Sequence, residues 1–146
     1  QCLGAGDKDE AERSGWTAMA VGSFSMAIFA VPLALCAERI MGLFTQDSAI
    51  IEVGVVYIWA IVLAEPLHCL AITAGGGLRG AGDTKPALYY TIISQWLVRL
   101  PVGYALAFYL GYDIEGLWFS LIAFSALQGW LTARKFALGE WKEREL

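Results

Sequence analysis

Glu65, His68 and Arg99 are charged or imidazole side chains set inside long apolar stretches of a 146-residue chain, and their types and spacing admit ion chemistry. A group of this kind in hydrocarbon costs at least about 2.5–3.5 kcal/mol on insertion scales, so each needs a partner or a task. A carboxylate there can take up a proton or a small cation, and an imidazole three residues later shares its helix face. Counted from Asp83, Glu65 lies 18 residues before and Arg99 16 residues after, on stretches expected to run antiparallel, so both should reach similar depth. Pro66 removes the helical hydrogen bond to the carbonyl of Val62, and Pro101 removes that to Leu97, which sets a polar group beside a kink on each helix. Interrupted helices near the midplane expose carbonyls and carboxylates to ions in secondary transporters. Glu65 and His68 are therefore candidates for cation or proton coupling, with Na⁺ at Glu65 the one metal in view. Arg99 and Gln95, four residues apart on one face, are candidates for lining or gating a cavity. A structural alternative stays open: a Glu65–Arg99 ion pair with His68 hydrogen-bonded to a neighbouring helix. For Gln95 and Gln128 interhelical hydrogen bonding is the simpler role.

These residues must be positioned by membrane helices. Hydrophobic residues make up 58% of the chain and charged residues 16%, against about 25% charged in an ordinary soluble domain. The 23 residues from Gly15 to Ala37 carry no charge, and roughly 20 apolar residues suffice to cross a bilayer. The pattern predicts an all-α bundle with four transmembrane helices over about 15–37, 53–74, 86–110 and 116–133, and a tail over 134–146. A chain this short could not cover four such helices with polar surface, which weighs against a soluble bundle as the alternative. Pro32 is expected to kink the outer part of the first span.

Between the second and third spans, Gly75-x-Gly77-x-x-Gly80 matches a dinucleotide fingerprint in letters only, because no strand precedes it; nor do Lys and Ser or Thr follow as a phosphate loop requires. No nucleotide or nucleic acid is expected as a partner. The stretch Gly75–Pro86 instead reads as a hinge, with Gly77, Arg79, Gly80, Gly82 and Asp83 as turn and topology determinants. Cys2, Cys36 and Cys69 make neither a disulfide framework nor a metal cluster, and a lone His makes no catalytic triad. No enzyme and no organic cofactor is predicted.

Four crossings put the N-terminal segment, the hinge and the tail on one side. That side carries Lys8, Arg13, Arg79, Lys85, Arg134, Lys135, Lys142 and Arg144, against Arg39 alone on the other, which makes it cytoplasmic although the net formal charge is -4. Asp7, Asp47 or Ser48, and Asp83 or Thr84 are expected helix caps. A short helix is expected to lead from Asp7 into the first span, and another to lie in the outer interface over 38–46. Trp16, Tyr57, Tyr89, Tyr90, Tyr109, Tyr112, Trp118 and Trp141 fall near span ends as an aromatic belt would. Gly4-Ala5-Gly6-Asp7 recurs as Gly80-Ala81-Gly82-Asp83, which predicts the same turn twice.

Leu3-Gly4-Ala5-Gly6-Asp7, Leu43-Phe44-Thr45, Leu78-Arg79-Gly80-Ala81-Gly82-Asp83-Thr84-Lys85-Pro86 and Trp96-Leu97-Val98-Arg99-Leu100-Pro101, in this order between four spans, resemble the C-terminal part of multidrug and toxic compound extrusion (MATE) transporters. The resemblance implies the last four helices of a twelve-helix protein, within its second six-helix bundle. It implies export of cationic or amphipathic compounds in exchange for Na⁺ or H⁺ across the plasma membrane, with the bilayer and the remaining helices as partners. In a sodium-coupled branch an acidic residue precedes the Leu-Arg-Gly motif; His68 stands at or near that place here, with Glu65 one turn earlier. A related lipid-linked sugar flippase and a non-transporting four-helix membrane module are the other readings.

Overall fold

A computed structural model describes residues 2–143; Arg144 and the end of the predicted tail lie outside the described residues. The chain forms helices α1 (Lys8–Leu35), α2 (Ala37–Gly42), α3 (Ser48–Gly80) and α4 (Thr84–Ile93). After α4 come a π-helical segment (Ser94–Arg99), α5 (Leu100–Tyr104), a second π-helical segment (Ala105–Tyr109), α6 (Asp113–Ala137) and a 3₁₀ turn (Glu140–Glu143). It is an all-α bundle in which α3 packs against both α1 and α6, and α6 packs against the pieces between Thr84 and Tyr109.

Local chemistry accounts for the helix starts. Glu10 N–H donates to Asp7 Oδ1 (3.0 Å), and Ala49 N–H donates to Asp47 Oδ1 (2.9 Å), each satisfying a first-turn donor. The two Gly-Ala-Gly-Asp copies do form the same turn. Gly6 and Gly82 take φ of +83° and +77°, where a side chain is strained. Asp7 N–H reaches Cys2 O (3.0 Å) as Asp83 N–H reaches Leu78 O (2.8 Å), and Gly6 and Gly82 N–H reach Leu3 and Arg79 O, both at 3.0 Å. For Gly82 this is a left-handed helix cap that uses two otherwise orphaned carbonyls. Asp83 then sits at the start of α4, although its side chain makes no capping bond there, contrary to the expectation.

Several boundaries differ from those expected. No separate helix precedes the first span: α1 is continuous from Lys8, because Asp7 caps it and nothing later breaks it. Pro32 lies in its last turns, and the outer helix α2 is confined to Ala37–Gly42. The helix expected to stop at Ala74 runs on to Gly80, so the turn occupies only Ala81–Asp83 and Gly75, Gly77 and Gly80 are helical. Glycine costs roughly 1 kcal/mol in a helix. At Gly77 it admits a neighbour, since a Cβ there would come within 3.0 Å of the Phe136 ring.

Three helices among the described residues are long and apolar enough to cross a membrane: α1, α3 and α6, with mean hydropathies of 2.0, 1.9 and 1.2 in their apolar windows. At about 1.5 Å per residue each exceeds the roughly 30 Å hydrocarbon core. The predicted third span is no plain α-helix. Helical residues do run from Thr84 to Tyr109, but Leu100 N–H bonds to Gln95 O and Leu110 N–H to Ala105 O, five residues back in each case. Pro101 lacks a donor and crowds the carbonyl before it, and a widened turn relieves that conflict.

At the end bearing both glycine turns, Met19, Ala74, Leu78, Ala81, Phe136 and Trp141 form a buried cluster against which Leu3, Ala11 and Leu70 pack. The tail folds back onto α1: Trp141 Nε1 donates to Phe136 O (2.8 Å), and Lys142 pairs with Glu12. Lys135 pairs with Glu140. In this charged overhang Lys142 holds the Glu12 carboxyl below its usual range, and Glu140 foremost, with Asp83 contributing, holds the Lys135 ammonium above its own. Toward the opposite end, Phe24, Phe29 and Leu35 of α1 are exposed.

α6 meets the second π-helical segment so closely at Gly116 that a Cβ there would lie 2.7 Å from Ala107 N and 2.8 Å from Leu106 C. Backbone cannot swing away as a side chain can. Gly116→Ala should therefore cost about 1–3 kcal/mol, seen as a lower unfolding temperature of the full-length protein by tryptophan fluorescence.

Candidate functional site: the junction of α3, α6 and the interrupted helix

Two of the candidate residues, His68 of α3 and Arg99 of the first π-helical segment, reach the same residue of α6, Phe124. His68 on α3 packs on Phe124 of α6, with ring centroids 5.9 Å apart and planes at 39°. From the other side Arg99 places its guanidinium carbon 5.6 Å from the Phe124 centroid and donates through Nη1 to Gln95 Oε1 at 3.4 Å. A guanidinium over an aromatic face gains roughly 0.5–2 kcal/mol, more as water is excluded. Phe124 is 6% exposed and joins the two candidate groups, yet nothing in the sequence marks it among the phenylalanines of α6. Gln95 and Arg99 share a face as expected, on a π-helical turn.

Glu65 is half-buried one turn from His68 and makes neither a hydrogen bond nor an ion pair with a described residue. The structural alternative of a Glu65–Arg99 ion pair is therefore not realised. The reason is geometric: the Arg99 guanidinium is directed to Gln95 and the Phe124 face. Nor is His68 hydrogen-bonded to a neighbouring helix, because its Nδ1 is buried without a partner among the described residues. Among the described residues no three His, Cys, Asp or Glu side chains converge to hold a metal.

The prolines and glycines shape this junction. The carbonyl of Pro66 accepts from Ser23 Oγ of α1 (3.0 Å), so backbone next to Glu65 is tied across to another helix. Gly22 of α1 allows Cys69 to approach, since a Cβ there would meet its Sγ at 3.0 Å. Gln128 takes the interhelical role: its Nε2 donates to Thr91 Oγ1 (2.8 Å), whose hydroxyl donates to Ala87 O (2.9 Å). Arg79 and Gly80 are exposed in the last turn of α3, while Gly82 belongs to the turn that follows. These three lie 11 or more residues from the Glu65–His68 turn.

Comparison with known proteins adds the family. The MatE family model matches residues 1–105. Multidrug and toxin extrusion protein 1 of Homo sapiens is 31% identical over 126 residues, covering 86% of this chain and 22% of that protein. The probable multidrug resistance protein NorM of Thermotoga maritima is 30% identical over 132 residues, covering 90% of this chain and 28% of that protein. The uncharacterized transporter YisQ of Bacillus subtilis is 30% identical over 118 residues, covering 81% and 26%. The chain spans about a quarter of the length of these curated relatives. No solved structure matches the chain. The matched model and the relatives agree, and the chain belongs to the MatE family.

Proposed function

We propose that this chain is part of a multidrug antiporter, a secondary transporter without catalytic chemistry, that exports cationic or amphipathic compounds in exchange for Na⁺ or H⁺. In this reading it supplies the last four of twelve helices, with Thr84–Tyr109 as the fourth crossing and the glycine turns on the cytoplasmic side of the plasma membrane. The observation that carries the reading is the family membership, joined to a half-buried Glu65 inside an apolar helix that has no ion-pair partner among the described residues.

The physics of exchange follows from one carboxylate in a poorly hydrated place. An isolated buried charge is costly, so Glu65 holds a proton or a cation, or attracts a cationic compound. Two cations competing for one site weaken each other's binding by the same factor, and alternating access turns that competition into antiport. His68 one turn away sets the local field, and Arg99 across Phe124 keeps a positive charge nearby that favours release.

The test is transport by the full-length protein in proteoliposomes. An inward Na⁺ or proton gradient should drive ethidium out against its own gradient, and each compound should dissipate the gradient faster when ethidium is present. If neither gradient drives ethidium, the proposed function is wrong.

A further inference from the structure

At the end of the bundle opposite the glycine turns, α2 and the start of α6 lie against the first turns of α3 and border a groove of about 440 Å³. Met41 of α2 rests on the bare backbone of Gly54, where a Cβ would stand 2.7 Å from its Sδ. Tyr57 of α3 meets Trp118 of α6 with ring centroids 4.5 Å apart and planes at 48°. Ile50, Val53 and Ile114 also line the space. A thioether and two aromatic rings therefore border one groove, whose volume lies in the range of small-molecule sites, about 300–1,000 Å³.

The lining excludes several classes of ligand. No lining residue carries a charge, and the only side-chain nitrogen or oxygen atoms are one phenol hydroxyl and one indole N–H. A phosphate finds no cation there, a sugar finds too few hydrogen-bond partners, and a bare metal ion finds no set of oxygen ligands.

Charge stands around the groove instead. Glu52 precedes Val53, and Asp113 and Glu115 flank Ile114, so these acids border the lining. Glu38 and Asp47 belong to the same end, against Arg39 alone. Arg39 pairs with none of them, since both ion pairs among the described residues lie at the other end. An apolar, aromatic interior within an acidic border selects a ligand with an apolar body and a positive charge. Aromatic faces attract such a charge directly, the thioether adapts to bodies of different shape, and the acids raise the local concentration of cations. A neutral hydrocarbon gains nothing from the border, and an anion is repelled by it.

We propose that this groove is a binding site for lipophilic cations, with Met41, Tyr57 and Trp118 as its contact residues. Tyr57 precedes Glu65 by eight residues, about 12 Å along α3, so the groove is distinct from the candidate coupling site. Binding there needs no ion gradient; the site goes beyond the transport reading and is tested apart from it.

The test is equilibrium dialysis of tetraphenylphosphonium against the full-length Glu65→Gln protein in detergent, a background in which that carboxylate binds no cation. Tetraphenylborate, an anion of the same size and shape, is the control. The phosphonium should bind at least about tenfold more tightly than the borate, and Tyr57→Leu combined with Trp118→Leu should weaken it about tenfold or more through the loss of both ring contacts. Ile50→Trp should weaken it as well by filling the groove, and Ile50 is exposed, so the fold does not depend on it. Saturating phosphonium should also slow the oxidation of Met41 by peroxide, read by peptide mass spectrometry. Equal affinity for the two ions, or phosphonium binding that survives both the double substitution and Ile50→Trp, would overturn the proposal. So would a Met41 that resists peroxide without the phosphonium and does not respond to it, because another helix of the full-length protein would then occupy the groove.

Discussion

Glu65→Gln together with His68→Ala in the full-length protein should lower gradient-driven ethidium export at least about tenfold, which corresponds to about 1.4 kcal/mol of lost coupling or more. In the proposed exchange the carboxylate accepts both competing cations, and Gln keeps its volume while removing its charge. His68 is included because it lies one turn away and packs on Phe124. Each single substitution should change the Na⁺ or pH dependence of export, and the double should leave little dependence to measure. Export and ion dependence that both survive the double change would remove these two residues from the coupling site, even if the protein proves to be a transporter. Arg99→Gln should act more mildly, since Arg99 contacts Gln95 and an aromatic face and no carboxylate.

Trp141→Ala should lower the stability of the full-length protein by about 3–5 kcal/mol. The residue is 2% exposed, its ring stacks on Phe136 at 4.8 Å, and its Nε1 reaches Phe136 O. Trp16 meets the same Phe136 ring edge-on at 5.8 Å, so the tail, α1 and α6 share one aromatic contact. A cavity of about 260 Å³, lined by Leu3, Gly15, Gly77, Phe136 and Trp141 among others, already borders it. Loss of the indole would enlarge that space where the structure cannot readily collapse. Trp141→Phe keeps most of the ring but not the hydrogen bond, and should cost nearer 1 kcal/mol beyond its lost volume. Glu12→Gln, which removes only the half-buried pair with Lys142, should lower the unfolding temperature far less than Trp141→Ala. Equal thermal shifts for Trp141→Ala and Glu12→Gln would mean that the tail is held by charge and not by packing.

Much of the arrangement is carried by local chemistry and is legible in the chain alone. Long uncharged runs dictate apolar helices, Asp7 and Asp47 announce helix starts, and the repeated Gly-Ala-Gly-Asp forms one turn twice because only glycine tolerates the positive φ that the carbonyl caps require. The intrusion of Glu65, His68 and Arg99 into apolar segments is visible in the same way, as is the shared face of Gln95 and Arg99. Tertiary contacts decide the rest. Gly75 and Gly77 read as a break in isolation, yet the helix continues through both, and the Phe136 ring packs where a Cβ on Gly77 would stand. Pro101 predicts a disturbed helix, but whether the disturbance is a kink or a widened turn depends on packing against α6. Equal depth suggests a Glu65–Arg99 pair, but depth says nothing of direction, and the guanidinium turns to Phe124 instead. Phe124 is an ordinary membrane-helix residue in sequence. It acquires a role only through packing, because the tertiary structure alone brings His68 of α3 and Arg99 of the π-helical segment to its ring.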